Sequence, residues 1–158
     1  MPVLNVRAGG VVENDKGERK ELHPAEALRV RGPCVEATLT YSDAHQQALA
    51  NTEKEIRSIG GVVMFDTGAS FSCFDQHAAN TIGLPIVGRS NLTSASHSNT
   101  IMPVYNGKLV IPGLNINSDS FVGANLASQG LIALIGRDVL RAGTLFYNGS
   151  EGTICFAI

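Results

Sequence analysis

The chain has 158 residues, 44% hydrophobic and 16% charged, with a net charge of −2. That length buries one sizeable core and predicts a single domain. With no long basic run, no aromatics interleaved with Lys or Arg, and no apolar run of membrane-spanning length, the composition argues against nucleic-acid and membrane partners.

Cys34, Cys73 and Cys155 are odd in number and lack CxxC spacing, which predicts buried free thiols in a reducing, cytoplasmic compartment. The segment from Met1 to Arg7 lacks the basic-then-apolar pattern of a secretory signal, in line with that location. His23, His45, His77 and His97 form no HxxH or HExxH pair, so neither a metal nor any other cofactor is expected.

Many short apolar runs punctuated by seventeen glycines and six prolines predict an all-β domain with one or two short helices. Residues 1–28 are the most polar part and read as an N-terminal extension packed on the core. Within them, residues 13–20 form an exposed turn between two short strands, and Pro24–Ala27 a helical turn. From Leu28 to Tyr41 the chain reads as a strand pair or one long bent strand, with Val35, Ala37, Leu39 and Tyr41 alternating against Glu36, Thr38 and Thr40. Residues 42–58 have helical composition but a poor apolar stripe, and read as either a helix or an exposed loop.

Val62-Val63-Met64-Phe65 then runs straight into Asp66-Thr67-Gly68-Ala69-Ser70. Four apolar residues followed by Asp-Thr-Gly describe a buried strand that delivers a carboxylate to a tight turn. Gly68 permits close backbone approach and lets its N–H reach a carboxylate. A turn aspartate that merely holds backbone N–H groups is the structural alternative. Residues 75–85 read as one short helix with Asp75 as N-cap, Gly83 at its end and Pro85 beyond, and with Ala78, Ala79 and Ile82 facing the core.

Downstream, Leu92–His97 and Asn99–Tyr105 are expected to pair around a polar tip near Ser96–Asn99, and Asn106-Gly107 to turn the chain into Lys108–Ile111. Leu131–Ile135 is a continuous apolar run, expected as a strand buried on both faces. A short helix over 137–142 stopped by Gly143 follows, then a hairpin of Thr144–Tyr147 with Thr153–Ile158.

Three separated blocks resemble one family. Gly32-Pro33-Cys34-Val35-Glu36-Ala37 is similar to the first core strand of retropepsin-like aspartic proteases, Met64–Ser70 resembles their catalytic turn, and Leu131–Leu140, with Ile135-Gly136-Arg137-Asp138 at its heart, resembles their second block. The resemblance spans roughly residues 30–158, and implies a domain over 29–158 with an insertion near 43–58. It implies a closed, largely antiparallel acid-protease β-barrel acting as a twofold homodimer on an extended peptide or protein substrate. Asp66 would be the catalytic residue, supported by Thr67, Gly68, Ala69, Ser70 and Gly136, with Leu134 in an apolar substrate pocket. Thr67 would cross the interface to the partner's turn.

Only one Asp-Thr-Gly is present. Asp15, Asp43, Asp75, Asp119 and Asp138 are not followed by Thr-Gly or Ser-Gly, so the dyad of an aspartic endopeptidase requires a second copy of the chain. The sequence departs from retroviral enzymes in two places. No glycine lies between Gly88 and Gly107, where their flaps are glycine-rich, and Ser70 stands where they carry an aspartate that pairs with the second-block arginine, so Arg137 needs another partner. The alternative is a catalytically silent β domain serving dimerisation or peptide binding.

Overall fold

The computed structural model describes residues 2–94 and 97–158, with the side chains of 92–99 left aside. Strand β1 (Val3–Arg7) is followed by a small hairpin of β2 (Val11–Glu13) and β3 (Arg19–Glu21), helix α1 (Pro24–Arg31), β4 (Cys34–Thr40), α2 (Asp43–Leu49) and β5 (Ser58–Phe65). Then come β6 (Cys73–Asp75), α3 (Gln76–Ile82), β7 (Ile86–Ser94), β8 (His97–Ile111) and β9 (Leu114–Ala124). A 3-10 turn (Ala127–Gln129), β10 (Leu131–Ile135), α4 (Arg137–Leu140), β11 (Thr144–Asn148) and β12 (Thr153–Ala157) complete the order. The protein is thus mostly β.

Six strands close on themselves in the order β4-β5-β10-β6-β9-β8, with β8 returning to β4 through Thr38↔Val110, Leu39↔Leu109 and Thr40↔Lys108. Strand β7 adds to the outer edge of β8. The barrel is mixed: β10 runs parallel to β5 and β6 parallel to β9, two departures from a largely antiparallel expectation. The physical reason is that β10 inserts between β5 and β6, which are consecutive in the chain but not neighbours in the sheet. A strand placed there pairs parallel with one and antiparallel with the other.

The barrel interior is filled by alternate residues of each strand. Val35, Leu39, Val63, Phe65, Phe74, Tyr105, Leu109, Ile111, Phe121, Ala133 and Ile135 are all buried in one cluster. Phe74 and Phe121 meet with ring centroids 4.4 Å apart, and Phe65 meets Phe156 of the terminal sheet at 5.6 Å. That sheet has the order β1-β12-β11 and buries Leu4, Ile154 and Phe156 against the barrel.

Helix α3 follows its punctuation. The Asp75 carboxylate accepts the Ala78 N–H at 2.9 Å, Gly83 adopts φ +75°, and Ala78, Ala79 and Ile82 are buried. Leu131–Ile135 lies at the centre of the sheet, as its unbroken apolar run requires.

The few short helices number four among the described residues, since both the 24–27 turn and the first half of residues 42–58 form helices. Other expectations are corrected. Leu28 belongs to helix α1, not to a strand: His23 caps it, Pro24 occupies its first turn, and Gly32 at φ +74° ends it before β4 begins. Ser42 caps α2, whereas 50–58 is exposed throughout. Asn106-Gly107 does not turn the chain. It is an irregularity inside the fifteen-residue strand β8, at a point where a Cβ on Gly107 would come within 2.9 Å of the Leu84 and Phe74 side chains. The turn into β9 is Pro112-Gly113, with Gly113 at φ +83°. Strands β7 and β8 do pair as a hairpin; of its expected polar tip near Ser96–Asn99, Ser96 and the side chains of 97–99 lie outside what is described.

Candidate active site

Strand β5 buries Val63 and Phe65 inside the barrel and presents Val62 and Met64 on its outer face. Its last step leaves Asp66 half-exposed where the chain must leave the sheet. The Asp66 N–H still donates to Ile135 O at 2.8 Å, so the residue is anchored to the end of β10 before the turn begins. Within the turn, the Gly68 N–H donates to Asp66 Oδ1 at 2.7 Å and the Ala69 N–H to Asp66 O at 3.2 Å. A Cβ on Gly68 would lie 3.0 Å from Oδ1, so glycine keeps the carboxylate in contact with the backbone N–H. Thr67 and Ser70 are exposed on this turn and Ala69 is half-buried.

Because β10 lies between β5 and β6, residues 66–72 must arch over its end. Gly136 sits directly beneath. A Cβ there would be 2.7 Å from both the carbonyl carbon and oxygen of Phe71 and 3.1 Å from Ala69 O. The contact is backbone against backbone and cannot yield by a side-chain rotation, so the arch of 66–72 requires glycine at 136.

Arg137 supplies the second fastening. Its N–H donates to Ala69 O at 3.0 Å. Its guanidinium donates through Nη1 to Thr67 O at 2.8 Å and Gly68 O at 3.0 Å, and through Nη2 to Ser70 Oγ at 2.7 Å. The partner that Ser70 could not provide as a carboxylate is therefore the turn itself, held by two carbonyls and a hydroxyl. The planar fork of arginine suits three acceptors arranged along one edge.

A third fastening was not visible in the sequence. Ser72, fully buried, donates from Oγ to Asp138 Oδ1 at 2.7 Å and accepts the Gly136 N–H at 2.9 Å. Its own N–H donates to Asp138 Oδ2 at 3.0 Å, and the Val139 N–H donates to Asp138 Oδ1 at 2.9 Å. Asp138, read from sequence as a helix N-terminal residue, ties the far end of the turn to α4 as well. A serine between two aromatics in Phe71-Ser72-Cys73-Phe74 carries no pattern that announces this. Asp75 also does double duty, since its Oδ2 accepts the Leu126 N–H at 3.0 Å.

Leu134 is buried, on the outer face of the sheet. It pairs across β10–β5 with Met64 and across β10–β6 with Cys73, in a small cluster that includes Leu131, Leu126 and Ala69. Leu134 and the Asp66 turn thus share one apolar surface. Burial, with the Asp138 carboxylate adding to it, pushes the Cys73 thiol up to about 11, so it stays protonated at neutral pH and is a poor nucleophile. Among the described residues no group of three or more His, Cys, Asp or Glu could hold a metal ion, and no helix is long and apolar enough to cross a membrane.

A half-exposed carboxylate on a rigid turn can activate or orient a water, but one alone cannot also protonate the group the water attacks. No family model matches the chain, and no curated protein does. Among solved structures the chain is similar to a retropepsin-like aspartic protease from Rickettsia conorii, with 13% identity and a TM-score of 0.48 over 98% of this chain and 90% of that one.

Proposed function

We propose that the chain is an aspartic-type endopeptidase of the retropepsin-like kind, active as a homodimer. The observation that carries this reading is the Asp66 turn: one half-exposed carboxylate, fixed by the Gly68 N–H and fastened from below by Gly136, Arg137 and the Ser72–Asp138 pair. A turn aspartate with a merely local duty would not call for that supporting shell.

Across a twofold axis the two Asp66 carboxylates stand side by side and, being like charges, hold one proton between them. The ionised one takes a proton from a bound water as the oxygen attacks the scissile carbonyl. The protonated one hydrogen-bonds the carbonyl oxygen and gives up its proton as the tetrahedral diol forms. Collapse of the diol breaks the C–N bond, the departing amine takes the proton the dyad had drawn from water, and a diol hydroxyl returns one proton to the dyad as the product carboxyl forms. No covalent enzyme intermediate arises.

The test is incubation of an unfolded protein with the wild-type chain and Asp66→Asn over roughly pH 4 to 7, where a shared-proton dyad is competent, with and without a statine-type inhibitor. Sedimentation is measured in parallel. Cleavage by a dimer, lost with either the substitution or the inhibitor, is the expected result. A monomer, or cleavage indifferent to both changes, or none at all, returns the chain to the alternative of a silent dimerisation or peptide-binding domain.

A further inference from the structure

The outer face of the barrel holds a cavity of about 910 Å³ that the chemistry above does not use. Its floor is Val62 and Met64 of β5 with Leu131 of β10, and its rim carries Arg7, Arg31 and Glu36. A second cavity, about 1000 Å³, adjoins it through Glu36, Val62 and Pro112 and continues along β4 and β5 past Gly60, where a Cβ would meet nothing within 4 Å. Together they form a groove along the strands.

The register connects this groove to the candidate active site. Leu134, Met64 and Cys34 lie abreast on β10, β5 and β4, and Leu131 and Glu36 flank Val62 in the same way. Leu134 packs in one cluster with Ala69 of the Asp66 turn. An apolar strip therefore leads from the turn into the groove.

Neither arginine at its rim forms an ion pair among the described residues, whose ion pairs are Arg19–Glu13, Arg29–Glu26 and Lys108–Asp43. The Arg31 guanidinium makes one long hydrogen bond, from Nη2 to Val11 O at 3.4 Å. Glu36 is the one carboxylate lining the first cavity, so the rim is net positive. Arginine beside an apolar floor favours a carboxylate attached to an apolar chain.

We propose that this groove binds an extended peptide whose apolar side chains lie on Val62, Met64 and Leu131 and whose acidic side chain is taken by Arg7 and Arg31. Because the groove continues beyond the arginines to Gly60, the carboxylate belongs to an internal residue and not to a chain end. As a statement about substrate class the inference rests on the protease reading, whereas binding itself needs no catalysis.

The test is fluorescence anisotropy of labelled, C-terminally amidated apolar peptides carrying Glu, Gln or Lys at one internal position, plus the Gln peptide with a free C-terminus. Each is titrated with the wild-type chain, with uncleavable Asp66→Asn, and with Arg7→Glu/Arg31→Glu. Near-UV circular dichroism checks the fold, and Arg7→Gln/Arg31→Gln serves as the milder variant. The Glu peptide is expected to bind about tenfold tighter than the Gln peptide, a preference weakened by salt, erased by the Gln pair and turned towards Lys by the Glu pair. Equal affinities, a preference untouched by either double variant, or binding that requires the free terminus would overturn the proposal. Acid-selective binding without cleavage sinks the protease reading alone. Cleavage with no acid preference sinks only this inference.

Discussion

Ser72 and Asp138 are bound to each other twice. The serine donates to one carboxylate oxygen from its hydroxyl, at 2.7 Å, and to the other from its backbone, at 3.0 Å. The same hydroxyl accepts the Gly136 N–H, so three elements (the turn before β6, the end of β10 and the start of α4) meet at one buried oxygen. Replacing Ser72 with alanine leaves the Gly136 N–H and an Asp138 oxygen short of partners, at a cost of about 1–3 kcal/mol. Urea unfolding should show a lower midpoint with unchanged slope. A midpoint equal to wild type would mean the bridge is dispensable.

Gly136→Ala places a methyl group against the Phe71 and Ala69 carbonyls. Either the 66–72 arch lifts or β10 retreats, and both disturb the anchoring of Asp66 on Ile135. Overpacking of this kind costs about 1–3 kcal/mol. Proteolysis should be lost even where thermal melting shows that most chains remain folded. Full activity in this variant would remove Gly136 from the supporting shell.

Arg137→Lys keeps the charge but replaces a planar fork with a single ammonium, which cannot reach Thr67 O, Gly68 O and Ser70 Oγ together. Cleavage should fall by about tenfold or more, equivalent to at least ~1.4 kcal/mol of transition-state stabilisation. Ser70→Ala removes one of the three acceptors and should show a smaller loss. Equal effects from both substitutions would show that the hydroxyl, not the carbonyl pair, holds the guanidinium.

Residues 50–58 are exposed along their whole length between α2 and β5. Added protease should nick the chain there first. Mass spectrometry of aged wild-type and Asp66→Asn protein tests whether the chain cuts itself at the same place. Fragments only in the wild type are the expected result, and identical patterns would exclude self-cleavage.

Cys73, its thiol pushed up to about 11 by burial and by the Asp138 carboxylate, is protonated in the folded protein near pH 8. Iodoacetamide should therefore spare it in the native state and label it once urea restores an ordinary thiol. Because the folded value lies above the unfolded one, the linked contribution to stability is fully present below the unfolded value. It is lost as pH rises through the interval up to about 11. Rapid native labelling of Cys73 at pH 8 would contradict this.

Local signals were legible where one short segment contained its own instructions. The apolar run into Asp66-Thr67-Gly68 specified a strand and a turn, and Asp75, Gly83 and Pro85 marked both ends of α3. What could not be read was non-local. Nothing near Val62 says that residues 131–135 will slide between β5 and β6, so the parallel pairings and the overhead arch of 66–72 were invisible, and with them the duties of Ser72 and Asp138. Asn106-Gly107 misled because a turn signal and a packing requirement use the same residue. Gly107 lacks a side chain to admit Leu84 and Phe74, while Pro112-Gly113 turns the chain.

The insertion of β10 also dictates an order of events. Strands β5 and β6 are separated by a single loop, yet the lane between them is filled by residues that arrive some way down the chain, after β7, β8 and β9. Until then Asp66 N–H has no Ile135 carbonyl, Cys73 and Phe74 have no β10 neighbours, and Gly136 is not under the arch. Distant pairings of this sort form slowly because chain closure must precede any gain from contact. A nascent chain consequently lacks this anchorage until residues 131–136 have emerged, and only then is the Asp66 carboxylate set in place.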